Sequence, residues 1–176
     1  LFGRYTERLQ QRAAGIDDRP VLPDVDEKQI SAEETFDTDI ADPARLHAEI
    51  VRLADKAVSR LRAKKLTGGC VTVKIRRGDF TTYTRQRQVD PRTQETRVVA
   101  RIAAELLDGW RKTQPQAALR LLGVGVSDLG EEVQADLFGA PESTRNRQLD
   151  ATVDAVREKF GSVALRPAST IVKPRE

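Results

Sequence analysis

The chain has 176 residues, 39% of them hydrophobic and 32% charged, which predicts one full domain with a real core and solvated extensions. Its one cysteine, Cys70, excludes an internal disulfide and a cysteine metal cluster and fits a reducing compartment. The sequence has no long apolar run, which excludes a membrane span and a signal peptide. It also lacks methionine, even at position 1, which indicates that it begins inside a longer protein or has been trimmed.

The net charge of +3 conceals a strong segregation of charge along the chain. Between Asp17 and Asp55 there are twelve acidic and four basic residues, a net of −8. Between Arg60 and Arg92 there are ten basic and two acidic residues, a net of +8. Such segregation favours a one-sided field that attracts polyanions. The alternative is that the two segments neutralise each other across the fold.

The first 41 residues predict a helix, a linker and a short strand. Helical spacing of apolar residues over 2–14 predicts a helix with Gly15 as its stop. Residues 17–27 contain prolines and several acids, and they read as an extended acidic linker. The stretch from Lys28 to Phe36 is a short strand candidate.

A long helix is predicted next, because Asp42 is a suitable cap and Pro43 suits the first turn. Its predicted buried stripe consists of Leu46, Ile50, Leu53, Ala54, Ala57, Val58 and Leu61. Lys64 and Lys65 suit the negative end of the helix dipole, and Gly68-Gly69 are expected to end the helix.

The stretch from Val71 to Val89 predicts a β-hairpin with an unusually polar second strand. The first strand alternates as a half-buried strand does, with Val71, Val73 and Ile75 on one face and Thr72, Lys74 and Arg76 on the other. After Gly78-Asp79 the second strand has Thr82, Thr84 and Gln86 on one side and Arg85 and Arg87 on the other. This pattern suits a sheet face that meets the phosphates of a polyanion. It equally suits an ordinary solvated hairpin whose charges protect an edge strand.

One residue of this strand leaves its orientation open. Tyr83 shares a face with Arg85 and Arg87. Either Tyr83 lies outside the core, or a bulge changes the face beyond it.

A second amphipathic helix, Thr96 to Trp110, and a last strand, Leu119 to Leu129, complete the pattern. Gly123 and Gly125 alternate in that strand, which favours close approach of another backbone. The fold class is therefore α+β: a split βαβ (βαββαβ) arrangement of four strands with two helices on one face, plus helical extensions at both ends. The other sheet face stays open.

In order and spacing these residues resemble the C-terminal part of bacterial Y-family translesion polymerases, the DNA polymerase IV group. The segments that carry the resemblance, over about three quarters of the chain, are residues 14–21, 28–36, 71–76, 79–85 and 121–127. The resemblance implies that residues 1–16 are the end of the thumb domain, 17–27 a linker and 28–130 the little-finger domain. It implies an error-prone DNA-directed polymerase as the parent protein, located in the bacterial cytoplasm with the nucleoid. The catalytic palm and its magnesium ions are missing, so no catalytic residue, metal ligand or cofactor is assigned to this chain.

By the same resemblance the little finger grips the primer–template duplex mainly through phosphates, with its sheet edge-on in the major groove. The contacts carried over are Lys28 and Ser31 on the first strand, and Thr84, Arg85, Gln86 and Arg87 on the hairpin. Lys74 and Arg76 are added from the alternation of their strand. Phosphate contacts position a protein without reading bases, which suits an enzyme that must hold any sequence.

A second motif follows the last strand, within residues 131–145. Gln134-Ala-Asp-Leu-Phe138 resembles the pentapeptide by which bacterial replication proteins bind the sliding clamp, the beta subunit of the replicase. Leu137 and Phe138 would fill an apolar pocket on the clamp, and Gln134 would hydrogen-bond near the mouth of that pocket. Asp136 is assigned to the same clamp-binding motif. Two large apolar residues in a polar tail have no core of their own to join, which favours a partner.

The remaining tail predicts a short amphipathic helix over 146–161 and disorder over 162–176. We expect the protein to be a monomer with no membrane partner. Two alternatives remain open: an RNA-recognition-like module, which needs aromatic residues on its central strands, and a protein-interaction domain that acts only by clamp binding.

Overall fold

The computed structural model describes residues 3–20, 27–131 and 141–170. A short 3-10 turn, Gly3–Tyr5, leads into helix α1, Thr6–Ala13. The central elements are β1, Gln29–Ile40; α2, Pro43–Ala63; β2, Leu66–Arg77; β3, Thr82–Thr93; α3, Thr96–Arg111; and β4, Leu119–Glu131. Helix α4, Pro141–Phe160, and a 3-10 turn, Ala168–Thr170, follow. The predicted βαββαβ order, with helices at both ends, is confirmed.

The four strands form one sheet in the order β1-β4-β2-β3, and every neighbouring pair is antiparallel. Strands β1 and β2 therefore run parallel with β4 between them, and β3 and β4 run parallel with β2 between them. This is the split βαβ arrangement, in which each helix connects two parallel strands that are not direct neighbours. It leaves β1 and β3 as the two edges of the sheet.

Helix α2 begins as the sequence predicts but ends differently. The Asp42 carboxylate accepts from the backbone N–H groups of Ala44 and Arg45. The buried stripe contains the seven predicted residues and no others. The prediction that Gly68-Gly69 end the helix is wrong, because the helix ends at Ala63 and both glycines lie inside β2. The turn is made instead by Lys65, which adopts a left-handed conformation with φ of 56°.

All four strands extend further than the sequence pattern predicts. Strand β1 continues to Ile40 after a register shift beyond Thr35, β3 continues to Thr93, and β4 continues to Glu131. Strand β2 begins at Leu66, five residues before the alternation at Val71. The extensions of β1 and β3 are rich in polar residues, so their strand character comes from pairing with neighbours and not from an apolar pattern.

The hydrophobic core lies between the sheet and helices α2 and α3. The three strand residues Val71, Val73 and Ile75 are fully buried, and Trp110 is 2% exposed. Trp110 lies in this core at the end of α3, the second predicted amphipathic helix. Cys70 is also buried, at 4% exposure.

Helix α4 packs against α2 and the start of α3 through polar groups. Its apolar residues Leu149 and Phe160 are 62% and 66% exposed, whereas Val153 and Val156 between them are half-buried, so only the middle of the apolar stripe is covered. The Asp150 carboxylate accepts from the backbone N–H of Thr96 at 2.9 Å and lies 3.2 Å from the Arg62 guanidinium. The N-cap residue of α3, Glu95, makes no side-chain cap hydrogen bond. Asp150 of α4 therefore caps the first turn of α3 in its place.

A second set of ion pairs holds the far end of α4. Arg157 lies 2.8 Å from Asp55 on α2, and both side chains are largely buried. The hydrogen bonds that Arg157 donates to the Asp55 carboxylate raise the pKa of Arg157. Arg157 also donates to the carbonyl of Leu165, which ties part of the 162–170 segment to the helix. Residues 171–176, the rest of the segment predicted as disordered, lie outside the described residues.

Within the described ranges, 3–20, 27–131 and 141–170, no helix is long and apolar enough to cross a membrane.

Candidate nucleic-acid interface

The open face of the sheet is built from rows of residues that face each other across neighbouring strands. One row runs Ser31, Gly125, Thr72, Gln86 from β1 to β3. The next row runs Glu33, Gly123, Lys74, Thr84. A third runs Thr35, Leu121, Arg76, Thr82. The predicted residues Ser31, Lys74, Arg76, Thr84 and Gln86 therefore share one face.

A shallow cavity of about 210 Å³ lies in the middle of this face, over β4. Its lining consists of Gln29, Ser31, Glu33, Thr72, Lys74, Thr84, Gly123, Val124 and Gly125. The two glycines make room for side chains of β1: Glu33 lies over Gly123, and the Gln29 amide lies over Gly125. The sequence pattern favoured close approach of another backbone at these two glycines. The structure shows instead that side chains of β1 approach them.

Two cations on the open face are already engaged. The ammonium of Lys74 lies 2.9 Å from the carboxylate of Glu33. The Arg76 guanidinium donates to the Thr82 hydroxyl at 2.8 Å. Both side chains remain partly exposed, so a phosphate could reach them from solvent.

Strand β3 resolves the question of orientation that Tyr83 raised. The register between β2 and β3 is continuous from Arg76↔Thr82 to Cys70↔Gln88, so no bulge changes the face. Tyr83 lies opposite Ile75 and its ring packs against Trp110. Arg85 and Arg87 consequently project from the helix-side face, not from the face of Lys74.

Both arginines are nevertheless exposed, because β3 is an edge strand and extends past the core. Arg85 donates to the Thr84 carbonyl at 3.0 Å. Arg87 forms an ion pair with Glu105 on α3, and this hydrogen bond lowers the pKa of Glu105. The exposed edge strand thus presents side chains on both of its faces. Thr84 and Gln86 lie on the open face, and Arg85 and Arg87 lie on the helix side.

The residues of β1 lie at the opposite edge. Lys28 is exposed just before β1, and Ser31 lies two residues into it. Three inter-strand spacings of about 4.8 Å separate the edge strands, roughly 14 Å in total. The predicted contact residues therefore lie at both edges of the sheet, with Lys74 and Arg76 on the inner strand β2, and they do not form a single cluster.

The charge segregation of the sequence is partly neutralised in the fold. Two ion pairs join the acidic and basic segments among the described residues: Glu33 with Lys74, and Glu27 with Lys64 at 2.5 Å. Arg92 pairs with Asp128 at 2.7 Å, which raises the pKa of Arg92. The alternative that the two segments neutralise each other thus holds in part, and the attraction of a polyanion stays a prediction.

Two acidic residues that pair with predicted cations are not evident from the sequence. Glu33 on the open face of β1 pairs with Lys74, and Glu105 on α3 pairs with Arg87. Because Glu33 alternates with the apolar Ala32, the sequence indicates that Glu33 lies on the open face. Its pairing with Lys74 depends on the strand order, which the sequence does not show.

The predicted clamp-binding residues Gln134, Asp136, Leu137 and Phe138 lie outside the described residues, and their role stays a prediction. In the described part of the chain, no three His, Cys, Asp or Glu side chains are grouped as a metal site would require. The magnesium expected in a palm domain stays a prediction.

A four-stranded βαββαβ sheet with two helices on one face and a polar open face defines a fold found in the Y-family DNA polymerases. The insertion ternary complex of Dbh DNA polymerase has this fold, with a TM-score of 0.54 at 13% identity, over 72% of this chain and 35% of that one. The chain itself belongs to the impB/mucB/samB family, whose C-terminal domain matches residues 27–137. The resemblance to the C-terminal part of bacterial Y-family polymerases is thereby confirmed.

Two curated relatives extend the match beyond that domain. DNA polymerase IV of Streptomyces coelicolor is 42% identical over 146 residues, covering 82% of this chain and 30% of that protein. DNA polymerase IV of Dehalococcoides mccartyi is 37% identical over 170 residues, covering 96% of this chain and 43% of that protein. The chain therefore spans less than half the length of these relatives.

Proposed function

We propose that this chain is the DNA-gripping part of an error-prone translesion DNA polymerase and that it binds the primer–template duplex through phosphates. The observation that carries the proposal is the exposed edge strand β3, which presents Thr84 and Gln86 on one face and Arg85 and Arg87 on the other. An exposed strand edge with cations on one face and neutral hydrogen-bonding side chains on the other suits entry into a groove between two phosphate backbones.

The size of the surface is compatible with this mode of binding. The two edges of the sheet are roughly 14 Å apart, from the spacing of strands, and the major groove of B-DNA is about 12 Å wide. Lys28 and Ser31 at one edge and Arg85 and Arg87 at the other could therefore meet phosphates of both strands. Flexible Lys and Arg side chains on an edge hold any base sequence, which a translesion enzyme requires.

The RNA-recognition alternative is less well supported. That module stacks bases on aromatic residues of its central strands. The three open-face rows on the central strands β2 and β4 contain Thr72, Lys74, Arg76, Gly123 and Gly125, together with Leu121, and no aromatic residue.

We further propose that the parent protein is a DNA-directed DNA polymerase whose chemistry and magnesium ions belong to its palm domain. The support is the family membership and the name of the relatives, DNA polymerase IV. By the same reasoning, residues 1–16 end the thumb, 17–27 form a linker and 28–130 form the little finger. This chain then contributes duplex binding without catalysis.

Binding of the chain to a labelled primer–template duplex, followed by fluorescence anisotropy at several salt concentrations, tests the DNA proposal. The variant Arg85→Ala/Arg87→Ala should bind more weakly and show a salt slope smaller by about two, one for each lost phosphate contact. The control Arg45→Ala/Lys56→Ala removes two exposed cations from α2 and should change binding far less. Equal losses in both double variants would contradict an edge-specific grip.

A sliding clamp is the second proposed partner, bound by Gln134, Asp136, Leu137 and Phe138. Calorimetry with a bacterial clamp should show binding by the chain and its loss in Leu137→Ala/Phe138→Ala. The control Leu149→Ala/Phe160→Ala removes two large exposed apolar side chains from α4 and should leave clamp binding intact. A clamp-only function would be supported if the chain binds the clamp and shows no affinity for DNA at low salt.

A further inference from the structure

An ion pair crosses the centre of the open face, bridging one whole strand. Glu33 on β1 and Lys74 on β2 both lie opposite Gly123 of β4. The Lys74 ammonium approaches the two Glu33 carboxylate oxygens at 2.9 and 3.2 Å. The two side chains reach each other by lying over the intervening strand.

This crossing requires a glycine beneath it. A Cβ atom at position 123 would lie 2.8 Å from Glu33 Cγ and 3.5 Å from Lys74 Cβ, so a larger residue would push the Glu33 side chain aside. Gly123 is therefore part of the arrangement that lets the carboxylate extend across β4.

The pair is half-exposed and lies within the surface proposed to meet DNA. The side chains of Lys74 and Glu33 are 35% and 39% exposed. An ion pair at this exposure is held weakly, because solvent screens it and two flexible side chains must be ordered. A phosphate can therefore compete with the carboxylate for the ammonium.

We propose that Glu33 is an intramolecular competitor for DNA phosphate: it holds Lys74 in the free protein, and duplex binding transfers Lys74 from Glu33 to a phosphate. This inference rests on the proposed DNA-binding function. Glu33 lowers affinity in two ways, since Lys74 must first be released and the freed carboxylate then repels the nearby phosphate. Weak binding is useful for a protein that must leave the duplex. Glu33 is the residue that lowers the affinity for DNA to this end.

The test is anisotropy with the labelled primer–template duplex, using the full chain and the variant Glu33→Gln. We expect about two- to fivefold tighter binding and a salt slope steeper by up to about one. The matched control is Glu34→Gln, because Glu34 carries the same charge on the next residue but pairs with Arg52 on the helix side. That control should change affinity less than twofold.

A double-mutant cycle shows whether Glu33 acts through Lys74. Lys74→Gln should weaken binding, and Glu33→Gln should give a smaller gain in the Lys74→Gln background than in the unmodified chain. Thermal unfolding of each variant confirms that the fold is retained.

The outcomes distinguish the role of Glu33 from the proposed DNA-binding function. Equal gains in Glu33→Gln and Glu34→Gln, or equal gains with and without Lys74, would overturn the inference in favour of general charge. No gain in Glu33→Gln, while Arg85→Ala/Arg87→Ala still weakens binding, would overturn it and leave the proposed function standing. If the unmodified chain does not bind the duplex at low salt, both the role of Glu33 and the proposed DNA-binding function are contradicted.

Discussion

The rings of Tyr83 and Trp110 pack against each other with centroids 5.4 Å apart and planes inclined at 51°. Tyr83 belongs to the edge strand β3, and Trp110 lies at the end of α3. The contact therefore anchors the polar edge strand to the core from the helix side. It also fixes Thr84 and Gln86 on the open face, since successive side chains of a strand alternate.

Tyr83→Ala should destabilise the protein by about 2–4 kcal/mol, through loss of buried aromatic area and of the ring pair. Tyr83→Phe keeps the ring and should cost less than about 1 kcal/mol. Urea unfolding of the three proteins measures both values. A cost for the alanine variant no larger than that of the phenylalanine variant would mean that the ring contact does not hold β3.

Asp150→Asn should loosen the attachment of α4 and the first turn of α3. The substitution weakens the hydrogen bond to the Thr96 amide and the ion pair with Arg62, and caps of this type contribute about 1 kcal/mol. Hydrogen exchange should show faster exchange of the Thr96 amide than in the unmodified chain. Glu158→Gln on the exposed side of α4 is the control, and it should leave that amide unchanged.

The ion pair of Glu105 predicts a defined pH dependence. The hydrogen bond from Arg87, with a smaller contribution from Arg101, lowers the pKa of the Glu105 carboxyl. A lowered pKa in the folded state means that the pair stabilises the fold above the ordinary Glu pKa of about 4.3. That stabilisation is lost as the pH falls through the lowered value.

Titration of the Glu105 carboxyl by NMR measures this shift. In Arg87→Gln its pKa should rise toward the ordinary value, and the rise should exceed that in Arg101→Gln. An unchanged pKa in Arg87→Gln would show that the two side chains are not paired in solution.

Two glycines of the sheet should differ in their tolerance of alanine. A Cβ atom at Gly123 meets the flexible Glu33 side chain, which can move away. A Cβ atom at Gly68 meets Cγ1 of the buried Val126 and lies 3.3 Å from the Ser127 carbonyl oxygen, neither of which can move freely. Gly68→Ala should therefore cost about 1–3 kcal/mol, and Gly123→Ala markedly less. Urea unfolding gives the ranking, and the reverse order would contradict the assigned packing.

Local chemistry in the sequence was sufficient to predict much of the fold. Asp42 and Pro43 start α2, and the 3.6-residue spacing of its apolar residues predicts its buried stripe completely. The alternation from Val71 to Arg76 likewise predicts which side of β2 is buried. These features depend on neighbours along the chain, so the sequence by itself determined them.

The arrangement of charges on the candidate interface was decided by the tertiary structure. The strand order places Glu33 beside Lys74 across Gly123, although 41 residues separate the two in the chain. The packing of Tyr83 on Trp110 turns Arg85 and Arg87 to the helix side, and α3 brings Glu105 to Arg87. Each of these relationships joins strands or helices that are distant in sequence. Residue types along the chain determine which faces are polar, whereas the pairing of strands determines which charges meet.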